Sequence, residues 1–125
     1  MKLEGEQALL RIHLSNLLKR HGAPLYEAIV EKARRDHLAG ATVLAGMSGF
    51  VGRGPILGGH PMAVTAERPV VVELVDRPDL LERFLADAAS MLHGQPVIVT
   101  LERARVVRYR GGEDPGADSR PEGPA

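Results

Sequence analysis

The stretch Arg68–Gly94, "RPVVVELVDRPDLLERFLADAASMLHG", predicts a strand followed directly by a helix. Val70–Val75 is almost uninterrupted apolar sequence, which predicts a central strand covered on both faces. Pro78 suits the first turn of a helix, and Gly94 suits its end. An apolar stripe at helical spacing joins these two points: Leu81, Phe84, Leu85, Ala88, Met91 and Leu92.

The first half of the chain repeats this strand and helix arrangement. Gln7–Leu14 alternates apolar and polar residues, as a half-buried strand does. "PLYEAIVEKARRDH", from Pro24 to His37, predicts a helix with Gly40 as the residue just past its end. Ala41–Met47 predicts a second strand, which leads into a glycine-rich segment.

The remaining segments complete one domain. Met62–Ala66 is strand-like and precedes the Arg68 stretch, and Pro96–Tyr109 predicts the last strand. Gly111–Ala125 holds four glycines, three prolines and no large apolar residue, so we expect a disordered tail over 111–125. The order βαββαβ predicts an α+β ferredoxin-like domain over 1–110, with two helices on one face of an antiparallel sheet.

Composition narrows the possible functions. The 125 residues include no cysteine, which excludes disulfides, thiolate metal sites and cysteine nucleophiles. Basic and acidic residues number 16 each, and this balance argues against nucleic acid as a partner. The acidic N-terminus lacks the apolar core of a secretory signal, so we expect a cytoplasmic protein.

The segment Gly46–His60, "GMSGFVGRGPILGGH", holds six of the 14 glycines. Gly49 and Gly54 have P-loop spacing, but Pro55 and Ile56 replace the lysine and hydroxyl residue, and no helix follows. The dinucleotide fingerprint fails as well, and the four-residue clamp of KH domains joins helices rather than strands. A long functional loop between strands two and three and a plain glycine-rich hairpin both remain open.

Arginines are the best candidates for a binding site. Arg53 in the loop could hold an anion through two parallel hydrogen bonds. Arg103 and Arg105 share a face of the last strand, either as a solvated edge or as an anion site at a subunit boundary. The five histidines show no metal-ligand spacing, and no residue pair indicates a reaction, so we expect a protein that is not an enzyme.

"GATVLAGMSGFVGRG", Gly40–Gly54, resembles the strand-to-T-loop segment of PII signalling proteins. Residues 24–50 and 67–92 are still more similar to a PII-like family of bacterial and archaeal proteins, a domain of unknown function. The similarity extends from about Ala8 to Tyr109. It implies a ferredoxin-like homotrimer whose T-loop, here residues 48–60, reaches a protein partner such as a membrane transporter or an enzyme.

The resemblance also implies a small anionic effector in the clefts between subunits, with an adenine nucleotide such as AMP as the candidate. Its binding residues would be Gly46, Gly49, Phe50, Arg53, Arg103 and Arg105. The glycine- and lysine-rich phosphate loop of PII is reduced here to His93–Pro96, which argues against ATP sensing of the PII type. The alternative is a trimer resembling the CutA group, which shares the fold and would bind a divalent metal with His60.

Overall fold

The computed structural model describes residues 3–58 and 67–111. Its elements are β1 Gly5–Ser15, β2 Lys19–Arg20, β3 Ala23–Pro24, α1 Leu25–Arg35, β4 Ala41–Ala45, β5 Ser48–Gly49, β6 Leu57–Gly58, β7 Pro69–Asp76, α2 Pro78–Asp87, α3 Ala89–Leu92 and β8 Ile98–Val106. The four long strands form one antiparallel sheet in the order β4-β7-β1-β8. This order and the helices between the strands confirm the ferredoxin-like α+β fold.

The centre of the sheet is the antiparallel pair of β1 and β7. Both strands alternate regularly, and every second side chain is buried on the side that carries the helices. The central position predicted for β7 is confirmed. Its second face is only half-buried in the chain, because helices cover one side of the sheet, so the prediction that both faces are covered was wrong.

The core lies between the sheet and the two main helices. α1 contributes Leu25 and Ile29, α2 contributes Leu81 and Phe84, and all four are essentially inaccessible. Burial of each such side chain stabilises the fold by roughly 1.5–3 kcal/mol. Lys32 links the helices, because its Nζ lies 5.4 Å from the centroid of the Phe84 ring.

The second helical segment differs from the single helix predicted between Arg77 and Gly94. α2 ends at Asp87, Ala88 is its C-cap, and a short α3 follows. The amides of Met91 and Leu92 both donate to the carbonyl of Ala88, so a tighter turn of backbone separates α2 from the helical turn of α3. The predicted apolar stripe still packs on the core.

A small hairpin of β2 and β3 was predicted only as a loop. Arg20 pairs with Ala23, and the two residues between them, His21 and Gly22, both have positive φ. This is the geometry of a two-residue hairpin turn of the type usually made by Asn-Gly. Because His-Gly is not one of the residue pairs usual in such turns, the sequence did not indicate a hairpin here.

α1 ends at Arg35 with Asp36 as its C-cap, so the residue just past its end is His37 and not Gly40. The amide of Leu38 donates to the Ala33 carbonyl and that of His37 to the Arg34 carbonyl, which is a Schellman motif. His37 therefore occupies the left-handed position with φ 58°. Histidine is among the residues that tolerate this region best after glycine, which explains why the sequence pattern misplaced the end.

One buried carboxylate joins the two halves of the chain. Asp76 is fully buried at the end of β7 and accepts the Ala39 amide at 2.8 Å and the Arg77 amide at 2.7 Å. The first bond holds the connection from α1 to β4, and the second lies at the start of α2. The predicted strand Met62–Ala66, His60, and the predicted tail beyond Gly111 lie outside the described residues.

The end of α1 gives a stability test. Replacing His37 with glycine removes the strain of the left-handed residue, and we expect the free energy of unfolding to rise by about 0.5–1 kcal/mol. Gly40→Ala should also stabilise, by about 0.4–1 kcal/mol, because Gly40 has no positive φ and an added Cβ would meet no atom within 4 Å. Urea denaturation measures both. Loss of stability in Gly40→Ala together with no gain in His37→Gly would show that the helix ends at Gly40.

Candidate functional site

The glycine-rich segment between β4 and β7 begins as a hydrogen-bonded hairpin and not as an irregular loop. In the pairing of β5 with β6, Ser48 lies opposite Gly58 and Gly49 opposite Leu57. We call residues 46–58 the hairpin. Its polar backbone is partly hydrogen-bonded internally, so the predicted loop has a paired stem at residues 48–49 and 57–58.

Two glycines fix the base of the hairpin to the sheet. The Gly46 amide donates to the Pro69 carbonyl at 2.7 Å, and the Gly58 amide donates to the Glu67 carbonyl at 2.9 Å. A Cβ on Gly46 would lie 2.9 Å from Pro69 Cγ, and one on Gly58 would lie 2.2 Å from the Met47 carbonyl oxygen. Close approach of backbone therefore requires glycine at both ends.

The segment that returns to β7 is tied to the end of β1. The amide of Arg68 donates to Asn16 Oδ1 at 2.8 Å, and the Asn16 amide donates to the Arg68 carbonyl at 3.0 Å. Ser15 Oγ donates to Glu67 Oε1 at 2.6 Å and accepts the Leu17 amide at 3.1 Å. These bonds hold the hairpin base against the central strand pair.

The tip of the hairpin is a tight turn at Arg53. The Gly54 amide donates to the Val51 carbonyl at 3.1 Å, and φ is 62° at Gly52 and 61° at Arg53. These values define a primed turn, in which glycine is relaxed and arginine is strained. The turn places the Arg53 side chain in an exposed position at the tip.

The tip lies beside the turn that precedes β8. An added Cβ on Gly52 would stand 3.3 Å from Pro96 Cβ. The predicted binding loop and the shortened turn His93–Pro96 are therefore neighbours within one chain.

The hairpin also exposes apolar side chains. Met47, Phe50 and Ile56 are 83%, 62% and 75% exposed, while Leu57 is buried. Arg53 is the one charged residue of the hairpin sequence. Exposed apolar groups around a cation are typical of a surface that meets another molecule.

Arg103 and Arg105 lie on β8, near the end of that strand that is farthest from the hairpin. They pair with Ala8 and Glu6 of β1, and alternation places them on the helix-side face, where both are exposed. The prediction that Arg103 and Arg105 share one face of the strand is confirmed. Val99 and Leu101 continue the same row and are also exposed, so the helices leave this part of the sheet uncovered.

One chain does not bring the six predicted site residues together. Gly46, Gly49, Phe50 and Arg53 belong to the hairpin, whose base lies at the β4 edge of the sheet and whose tip lies beside Pro96, just before β8. Arg103 and Arg105 lie at the other end of the strands, because Ala8 and Leu14 of β1 are six residues, or about 20 Å, apart. A common site needs a second chain.

A charged cluster on the open face of the sheet was not predicted. Arg11 Nε donates to Glu73 Oε2 at 2.9 Å, and its Nη1 donates to Glu102 Oε1. The hydrogen bond to Glu73 is the main cause that raises the pKa of Arg11 above its ordinary value. Glu73 is therefore engaged in an ion pair across neighbouring strands.

Two further features concern metals and membranes. Within residues 3–58 and 67–111, no three histidine, cysteine or carboxylate side chains come together in a way that could hold a metal ion. No helix in that part of the chain is long and apolar enough to cross a membrane.

Comparison with known proteins identifies the family. The family model DUF190, described as "Uncharacterized ACR, COG1993", matches residues 7–106. A UPF0166 protein of Aquifex aeolicus is 31% identical over 103 residues, which cover 82% of this chain and 94% of that protein.

Solved structures share the fold. CPII from Thiomonas intermedia K12, bound to ADP and bicarbonate, superposes with a TM-score of 0.63 at 18% identity, covering 82% of this chain and 90% of that one. A putative PII-like signalling protein from Thermus thermophilus gives 0.60 at 22% identity, with 86% and 94% covered.

A pair of glycines tests the hairpin base. Gly58 and Gly94 have φ of 79° and 75°, but an added Cβ at Gly94 meets nothing within 4 Å. Gly94→Ala therefore measures conformational strain alone, about 1–2 kcal/mol. We expect Gly58→Ala to break the hairpin base as well, seen as faster hydrogen exchange at the amides of positions 46 and 58. Unchanged exchange there would show that the hairpin does not depend on this close approach.

Proposed function

We propose, because the chain belongs to the DUF190 family and has the fold of PII-like proteins, that it is a non-enzymatic PII-like regulator. It forms a homotrimer in the cytoplasm, binds a small anionic effector between subunits, and acts on a protein partner through residues 48–60. One observation carries the proposal. The hairpin is exposed and lies at one end of the sheet, in a fold that resembles that of CPII bound to ADP and bicarbonate.

The proposed effector is an adenine nucleotide such as AMP. One CPII structure that resembles this chain, with a TM-score of 0.63, holds ADP, AMP and bicarbonate. Arginine suits such a ligand, since its planar guanidinium binds phosphate through two hydrogen bonds. A monophosphate also fits the shortened turn at His93–Pro96, which offers less backbone than a triphosphate cradle requires.

The edges of the sheet support the proposed assembly. β8 is an edge strand of nine residues that exposes Ile98 on one face and Val99 and Leu101 on the other. Its opposite edge, β4, exposes Leu44. With four alternating strands the two edges run antiparallel, so β8 of one copy can pair with β4 of the next, and repetition closes a ring. Long apolar edges are otherwise a hazard for aggregation.

Such a ring supplies the missing half of the site. Closed sheets require a stagger between strands. A stagger of about six residues, or about 20 Å, would bring Arg103 and Arg105 of one copy level with the hairpin of its neighbour. The effector would then contact both groups and favour the arrangement in which they meet.

The partner would bind the exposed face of the hairpin. Met47, Phe50 and Ile56 offer an apolar surface with Arg53 beside it, a combination that fits an apolar pocket with an acidic rim. An enzyme or a membrane transporter is the expected class of partner.

Mass and ligand-dependent stability test the proposal. Light scattering should give three times the 13.5 kDa chain mass. AMP at about 100 times its dissociation constant should stabilise the folded assembly by about 2.7 kcal/mol in a thermal unfolding experiment. Arg53→Ala should weaken AMP binding about tenfold or more, because a charge-assisted hydrogen bond is lost.

Arg34→Ala is the matched control, since Arg34 is an exposed arginine on α1. It should leave AMP affinity unchanged. A monomeric mass, or absence of any thermal shift with AMP and ADP, would contradict the proposal. Equal losses in Arg53→Ala and Arg34→Ala would show only a general effect of charge.

The interface has its own test. Leu101→Lys places a charge at the proposed β8 contact, and we expect the association constant to fall by at least about 100-fold. Leu17→Lys is the control, because Leu17 is similarly exposed (50% against 43%) and lies outside both edge strands. Light scattering across a dilution series measures both. A Leu101→Lys assembly as stable as the Leu17→Lys assembly would exclude β8 from the interface.

A further inference from the structure

The chain has zero net charge, but it divides into a long basic part and a short acidic part. Residues 112–125 hold four carboxylates and one arginine, whereas the whole chain has 16 acidic and 16 basic residues. Residues 1–111 therefore retain 15 basic and 12 acidic side chains, a charge of +3 against −3 for the terminal segment. An acidic segment next to a basic domain is typical of a chain that interacts with itself or with a charged partner.

The positive charge nearest to this segment lies directly before it. We call Arg103, Arg105, Arg108 and Arg110 the basic strip, and all four residues are exposed. Arg103 and Arg105 lie on the helix-side face of β8, which α1 and α2 do not cover. The Tyr109 amide donates to Glu4 Oε2 at 3.1 Å, which fixes the last part of the strip against the start of β1.

The strip is not neutralised by the rest of the described structure. Over residues 3–58 and 67–111, none of its four arginines forms an ion pair, although Glu6 lies opposite Arg105 in the register. The nearby Glu102 points to the other face, where it pairs with Arg11. Four arginines against the two neighbouring carboxylates, Glu4 and Glu6, leave a local charge of +2, which attracts an acidic segment over about 10 Å at 0.1 M salt.

The terminal segment is long enough to return along β8. Fourteen residues can span about 45 Å when extended, whereas Arg103 and Arg110 are at most about 25 Å apart. Gly111 and Gly112, which directly follow the basic strip, allow a reversal of the chain. After such a turn Asp118 and Glu122 can return along β8 toward Arg105 and Arg103, while Glu113 and Asp114 remain near Arg110.

We propose that the acidic segment 112–125 docks on the basic strip of its own chain and competes there with other anions. The contact is electrostatic, so the segment needs no regular structure and leaves as the salt concentration rises. The basic strip is then an anion-binding site that the acidic segment of the same chain occupies until salt or another anion displaces it.

The absence of cysteine makes a direct test simple. Ser119→Cys introduces one thiol for a nitroxide spin label on the full chain. At about 20 mM salt, the amide signals of residues 103–105 should fall to less than about half their intensity, and about 0.5 M salt should restore them. Signals around Arg34 and Arg35 on α1 should stay unchanged.

Neutralising the segment is the matched control. Glu113→Gln, Asp114→Asn, Asp118→Asn and Glu122→Gln keep its length, and with the same label the broadening should disappear. Unchanged signals on β8 at low salt, or equal broadening on α1, would overturn the proposal. Broadening between differently labelled chains in mixed assemblies would instead overturn docking on the same chain and assign the segment to a neighbour.

The consequence for the effector rests on the proposed function. If the segment competes with AMP for Arg103 and Arg105, the neutralised full chain should bind AMP several-fold more tightly than the original chain at low salt, and equally at high salt. Equal affinities at low salt would overturn the competition. Failure of both chains to bind AMP would refute the proposed function, while the label experiment would still decide the docking.

Discussion

The antiparallel pairing of β1 with β7 is the constraint on which the rest of the structure depends. Its eight paired positions align the inner side chains of both strands under the helices. The same register brings Ser15 opposite Pro69, so the end of β1 meets the returning end of the hairpin. The core and the base of the candidate site are therefore consequences of one alignment, and a slip of one residue would expose the apolar face of each strand.

That pairing also decides which strands remain edges. β1 and β7 occupy the centre, so β4 and β8 are each paired on one side in the chain. The two edges differ in length and charge, since β4 has five residues and no ionisable group, whereas β8 has nine residues with Arg103 and Arg105 among them. The uneven edges favour head-to-tail contact between copies over a contact of like with like.

The sequence was sufficient for the elements that depend on apolar periodicity. β7, α2 and the order βαββαβ follow from runs and stripes whose burial is the main stabilising term. The turns at His21 and His37 could not be predicted in this way, because histidine adopts the left-handed conformation far less often than glycine and therefore does not mark a turn in a sequence. The break at Ala88 has no sequence signal, since alanine favours a helix.

The candidate site shows a different limit. A sequence pattern can place Arg53 in a glycine-rich turn and Arg103 beside Arg105 on one face, but it does not give the distance between the two groups. In this fold the Arg53 turn lies beside Pro96, just before β8 begins, whereas the two arginines lie near the end of β8, at the opposite end of the strands. A ligand that contacts both groups must therefore bind at a junction of chains. Binding at the junction and assembly would then be linked by mass action, so an effector would stabilise the oligomer in proportion to its occupancy of the site. The same linkage explains why an acidic segment at the basic strip matters: it would act on the junction through the arginines, without reaching the hairpin.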